Sequence, residues 1–229
     1  MSLGNLLAWG LENSHPDDSG QAKTKLVKKN TVLSLKGQSA DSLCAAALQD
    51  PAQLAQLLGN QKSDATVMKE AMEVILDPGA DEPDKETAFD NFEMLIQQLD
   101  NANNMEALGL WPPLMTLLAA SPEHLRLMAA WCCGTAVQNN AKSQAALHAN
   151  GGVPRLLQLA LADPAPAVRK KAVYALSCAV RNFQPALQQL LADVPDDMIA
   201  GHGTLRTTRA DDMEAIDELM KRLRERAAR

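Results

Sequence analysis

A helical unit recurs along this chain, and that recurrence limits the folds open to it more than any other feature. Gly109 returns 42 residues later as Gly151, Trp111-Pro112 as Val153-Pro154, and Ser121-Pro122 as Asp163-Pro164. After a slip of one residue, Arg126 aligns with Arg169, Trp131 with Tyr174, and Gln138-Asn139 with Arg181-Asn182. Going backward, Phe92 aligns with Trp131 and Asp100 with Asn139. Self-similarity at about 40 residues marks armadillo and HEAT arrays, whose units bury their apolar faces only against their neighbours. Each unit reads as a short helix, a glycine, a second helix with an early proline, a Pro turn and a long third helix. Three helices per unit favour armadillo over HEAT. The expected fold is all-α: an armadillo-like right-handed superhelix, a short α-solenoid, with a flexible N-terminal arm and a C-terminal capping helix.

Local chemistry agrees with the alignment. Gly109 and Gly151 stand where a tight turn needs positive φ or a close helix approach. Pro112 and Pro154 fall in first turns, where a missing N–H breaks no hydrogen bond. The third helices, LMAAWCCGTAV and AVYALSCAV, are apolar around most of their circumference, as helices buried between repeats are. Aromatics make up only 3% of the chain while hydrophobic residues make up 46%, a helix-forming balance.

Three regions are expected. Residues 1–51 form a largely mobile arm and linker. Within it, Leu3, Leu6, Leu7 and Leu11 share one face of a short helix beside Trp9, followed by a polar stretch rich in lysine (Lys23, Lys25, Lys28, Lys29, Lys36). Residues 52–192 form the repeat domain. A helix runs from Ser63 or Asp64 to Leu76, and another runs from Pro83-Asp84 to about Leu99. Residues 193–229 comprise an irregular segment to Gly203 and a last helix capped by Asp211-Asp212, carrying Met213, Ile216, Leu219, Met220 and Leu223 on its apolar side.

No sequence pattern for a phosphate loop, a dinucleotide fold, a zinc protease or a nucleophile elbow is present, and His15, His124, His148 and His202 lie scattered. The carboxylates of DEPDKE, Asp81 to Glu86, lack the order of a calcium loop. No enzyme, cofactor site or metal site is expected. A net charge of −6 gains nothing from counterion release, so nucleic acid is not an expected ligand. No apolar run approaches the roughly 20 residues of a membrane span, and the N-terminus lacks the features of a signal peptide. Cys132, Cys133 and Cys178, in apolar helical runs, read as free thiols of a reducing compartment. The expectation is a cytoplasmic monomer.

A helical surface is left to carry the function. The aligned column Phe92, Trp131, Tyr174 either projects onto the face lined by the third helices or fills the core between repeats. The polar ends of those helices line one edge: Asn101, Asn103 and Asn104 around Ala102, then Gln138, Asn139 and Asn140, then Arg181 and Asn182. Amides in a row suit hydrogen bonding to a folded protein surface; capping of helix ends is the alternative. With Glu93, these are the candidate partner-binding residues.

The run FDNFEMLIQQLDNANNMEALGLWPPL from Phe89, with LLAWGLENS (Leu6 to Ser14), MKEAM (Met68 to Met72), GTAVQNN (Gly134 to Asn140) and VRKKAVYALS (Val168 to Ser177), resembles the armadillo-type nucleotide-exchange factors of the seventy-kilodalton heat-shock protein, of the fungal type. The resemblance covers residues 1–14 and about 52–191. It implies a non-enzymatic cochaperone that grips the nucleotide-binding domain of that chaperone, promotes ADP release and so releases client protein. It assigns client displacement to the N-terminal arm, here Leu6, Leu7, Trp9 and Leu11. The Lys-rich stretch at about 22–46 departs from the family's pattern, and residues 193–210 stand where longer relatives have a further repeat. The alternative is a generic armadillo adaptor for extended peptides. Such adaptors carry a Trp ladder with Asn four residues on, and here those positions are Ile96, Thr135 and Cys178.

Overall fold

The computed structural model describes residues 62–199 and 207–229. The chain divides into two units, Met1–Gly59 and Asn60–Arg229. The expected arm helix, the Lys-rich linker and part of the expected irregular segment lie outside the described residues.

The described residues form eleven helices and no strand. They are α1 (Asp64–Leu76), α2 (Glu82–Ile96), α3 (Leu99–Asn104), α4 (Trp111–Leu117), α5 (Glu123–Val137), α6 (Ala141–Ala149), α7 (Gly152–Ala162), α8 (Pro166–Val180), α9 (Gln184–Asp193), α10 (Asp196–Ile199) and α11 (Met213–Ala227). The triplets α3-α4-α5 and α6-α7-α8 are the repeating units, and α2 stands as the third helix of the unit before them. The result is an armadillo-like helical solenoid. Helices α2, α5, α8 and α11 pack in that order. Their small residues Ala129, Ala130, Ala172 and Ala175 are fully buried, so the backbones approach closely.

The helices start where the sequence puts the signals. Ser63 caps α1, its Oγ accepting the Thr66 N–H at 3.2 Å. Asp212 caps α11 by accepting the Ala215 N–H at 3.1 Å. Gly109 and Gly151 have φ of 68° and 70°, a left-handed conformation open to glycine without strain.

The aligned arginines show why the repeat persists. Arg126 Nη1 donates to the carbonyls of Ala120 and Ser121, at 2.8 and 2.6 Å. One unit later, Arg169 Nη1 donates to Asp163 and Pro164 at 2.8 and 3.2 Å. Each guanidinium closes the turn that precedes its own helix. Each also reaches forward with Nε: Arg126 to the Asp163 carboxylate at 2.6 Å, Arg169 to the Ala227 carbonyl at 2.7 Å. Helix α11 therefore takes the place of the next repeat.

Two boundaries differ from expectation. The helix expected to reach Leu99 stops at Ile96, because Gln98 is extended (ψ 128°) and starts the short α3. The break lets Asn101 Nδ2 fold back on the Leu95 carbonyl at 3.1 Å, satisfying an acceptor at the end of α2. The segment expected to be irregular contains α10, whose Met198 and Ile199 are buried. The Met198 carbonyl accepts Arg222 Nη1 at 2.9 Å, which ties that turn to α11.

Candidate functional site

The third helices share a face crossed by a polar and aromatic ladder. Thr135 Oγ1 on α5 donates to Glu93 Oε1 on α2 at 2.8 Å. Lys171 on α8 sets its ammonium 3.7 Å from the ring centroid of Trp131 on α5 and 5.7 Å from that of Tyr174. The Tyr174 hydroxyl donates to Gln138 Oε1 at 3.5 Å. Arg181 closes the ladder, donating from Nε to Ser177 Oγ at 3.2 Å, from Nη1 to Met213 Sδ at 3.4 Å, and from Nη2 to Asp217 of α11.

A missing side chain makes this arrangement fit. A Cβ on Gly134 would lie 2.4 Å from Tyr174 Cε1 and 3.2 Å from the Ala175 Cα. Glycine there lets α8 approach α5 with the Tyr174 ring lying across it. The close packing also tunes the groups on the face. Burial lowers the affinity of Lys171 for its proton, and the nearby charge of Glu93 partly restores it. Burial raises the Tyr174 hydroxyl and the Cys178 thiol above their ordinary values. It holds Cys132 and Cys133, both fully buried, firmly protonated.

The candidate residues occupy quite different positions. Trp131, Tyr174, Glu93 and Arg181 are half-buried on the ladder, and Gln138 is exposed beside it. Phe92 is fully buried and Ala102 is 3% exposed, so neither presents side-chain surface.

In the asparagine corner, Asn101 is buried and also donates to Asp64 Oδ2 at 2.8 Å. Asn103 is half-buried, with an Oδ1 that has no hydrogen-bond partner among the described residues, and Asn104 is exposed. Asn139 and Asn182 are exposed and hold the left-handed turns after α5 and α8, with φ of 52° and 59°. Asparagine tolerates that conformation better than any β-branched residue. Asn140 is buried and caps α6: Oδ1 accepts the Ser143 N–H at 3.3 Å and Nδ2 donates to Ser143 Oγ at 2.9 Å. The arm residues Leu6, Leu7, Trp9 and Leu11 lie outside the described residues.

Sequence inspection passed over Lys171, Thr135 and Asp217. Lys171 carried a usable signal, since it precedes Tyr174 by three residues and so shares its helix face. Asp217 did not, because only the folded chain brings α11 against Arg181. Among the described residues no group of three or more His, Cys, Asp or Glu side chains is placed to hold a metal ion. No helix among them is long and apolar enough to cross a membrane.

A stack of repeats joined through one face of half-buried aromatic, amide and charged groups defines a helical-repeat binding scaffold. Comparison with known proteins narrows this. The family described as nucleotide exchange factor Fes1 matches residues 3–105, and the SIL1/FES1/HPBP1 C-terminal domain matches residues 101–194. The chain is 46% identical to the Hsp70 nucleotide exchange factor FES1 of Coccidioides immitis (strain RS), over 97% of both chains. It is 44% identical to the protein of that name from Gibberella zeae, over 98% of this chain and 96% of the relative. A Neurospora crassa relative, Hsp70 nucleotide exchange factor fes-1, is 50% identical over 78% of this chain and 74% of its own. The chain belongs to the Fes1 nucleotide exchange factor family. Among solved structures, an engineered protein aligns with a TM-score of 0.52 at 15% identity, over 72% of this chain and 67% of its own, a likeness of fold alone.

Proposed function

We propose that this chain is a non-enzymatic cochaperone that binds Hsp70 through its nucleotide-binding domain and accelerates the release of ADP. The observation that carries the proposal is 46% identity along 97% of both chains to a protein named for that activity. The third-helix face supports it as the docking surface, because Glu93, Trp131, Gln138, Tyr174 and Arg181 lie along one continuous stack. Asn104 and Asn139 extend the same edge. The generic peptide adaptor is disfavoured: Thr135 and Cys178 stand where its ladder asparagines belong.

A rigid scaffold can promote exchange only by binding the nucleotide-free chaperone more tightly than the ADP-bound one. Reciprocity then requires ADP to weaken the complex by the same factor. The chain acts as a cytoplasmic monomer, and residues 1–51 serve the release of client protein.

Release of fluorescent ADP from full-length Hsp70, followed by stopped flow, tests the proposal. The chain accelerates release, and added ADP dissociates the complex. Asn104→Arg and Gln138→Arg, at exposed positions, abolish the acceleration while leaving the helical circular dichroism intact. Unchanged release in the presence of the wild-type chain refutes the function. Full acceleration by both folded variants refutes the surface.

A further inference from the structure

The third-helix face contains a cation site that the chain fills with its own lysine. Its walls are the Trp131 ring, 3.7 Å from the Lys171 ammonium, and the Tyr174 ring, 5.7 Å from it. Burial lowers the affinity of Lys171 for its proton, and the negative charge of the nearby Glu93 carboxylate partly offsets that. Two contacts set the Glu93 and Tyr174 sides of the site. Thr135 Oγ1 donates to Glu93 Oε1 at 2.8 Å, and Gly134 leaves the space that the Tyr174 ring occupies. The occupant is not fixed. Among the described residues the Lys171 ammonium has no hydrogen bond and no carboxylate within ion-pair distance, so only the rings hold it. The side chain is a flexible four-carbon stem and can swing into solvent.

We infer that Trp131, Tyr174 and Glu93 form a receptor for an arginine or lysine side chain of the bound partner, and that Lys171 occupies it until the partner displaces it. The inference deepens the docking proposal and rests on it for the identity of the partner. The seated ammonium itself shows what the site recognises: a cation over the face of an indole, with a second ring and a carboxylate nearby. An internal occupant lowers apparent affinity by the fraction of time it fills the site. Removing it therefore strengthens binding, whereas removing a lysine that contacts the partner directly would weaken it.

The test measures the affinity of the full-length chain for nucleotide-free, full-length Hsp70 by calorimetry. Lys171→Ala tightens binding about two- to fivefold, the range of a half-exposed cation–π contact. Adding Trp131→Leu to that variant erases the gain. Weaker or unchanged binding of Lys171→Ala overturns the inference, as does a gain that survives loss of Trp131 and therefore reflects relief of charge repulsion alone. A second readout dispenses with the chaperone. N-acetyl-arginine amide moves the Trp131 indole resonance of Lys171→Ala further than that of the wild type at equal concentration, and equal shifts overturn the inference. If the wild-type chain fails to bind Hsp70, the docking proposal falls while the indole titration still decides the cation site.

Discussion

The Arg126–Asp163 pair joins two repeats at a buried point, so removing one partner should be costly. The side chains of Arg126 and Asp163 are 12% and 2% exposed. Nε and Nη2 of Arg126 donate to the two carboxylate oxygens at 2.6 and 3.1 Å, and Asp163 Oδ1 also accepts the Ala165 N–H at 2.9 Å. Asp163→Ala leaves the guanidinium only the Ala120 and Ser121 carbonyls, at about 3–5 kcal/mol for a broken buried pair. The lost turn contact adds about 1 kcal/mol.

For a chain of this size 1 kcal/mol moves the melting temperature by about 2–4 °C, so a fall of about 8–24 °C is expected. Calorimetric melting and urea unfolding measure it. Adding Arg126→Met removes the guanidinium charge and restores part of the loss. A loss below about 1 kcal/mol for Asp163→Ala, or strictly additive losses in the double variant, would refute the coupling.

Acid makes the same point from the other side. Burial alone would raise the Asp163 carboxyl. The Arg126 hydrogen bonds, the Ala165 N–H and the charges of Arg126 and Arg169 outweigh it and hold the group below its ordinary value. The folded state thus favours the ionised form. Its contribution is complete above the unfolded carboxyl value near 3.9 and is lost as pH falls through the lower folded one. Asp163→Ala flattens the acid limb of the stability curve.

Single contacts elsewhere set further costs. Gly134→Ala forces Tyr174 and α8 to shift and costs about 1–3 kcal/mol by melting, despite the better helix propensity of alanine. Gly109→Ala meets open space but keeps a φ of 68°, so its cost is about 1–2 kcal/mol, and Gly109→Asn recovers part of it. Gln144, 3% exposed, donates Nε2 to the Cys178 and Arg181 carbonyls at 2.8 and 2.9 Å; Gln144→Ala leaves both short of a donor and costs about 1–3 kcal/mol. Asp211→Ala, by contrast, breaks a pair with side chains 79% and 61% exposed and leaves the melting temperature unchanged.

The fold was legible where one physical requirement acts in every unit. Gly109 and Gly151 need the same backbone, and Arg126 and Arg169 each satisfy two carbonyls of the turn before their own helix, so each pair repeats in the sequence. The site was less legible because one residue type serves two purposes. Asn104 and Asn140 look alike in the chain, yet one is exposed and the other caps α6 from within the core. Asn101 pairs with Asp64 across 37 residues, a contact set by packing rather than by local pattern. Phe92 and Trp131 align, yet one is fully buried and the other half-buried on the face.

Arg169 finds on the Ala227 carbonyl what Arg126 finds on the Asp163 carboxylate. The arginine thus accepts either another repeat or a helix end. In that sense α11 seats on the preceding unit through a contact whose fit does not depend on how many units come before it. Duplicating a unit upstream of α8 would leave that contact intact, so such a chain can lengthen or shorten by whole repeats without redesigning the seat of α11.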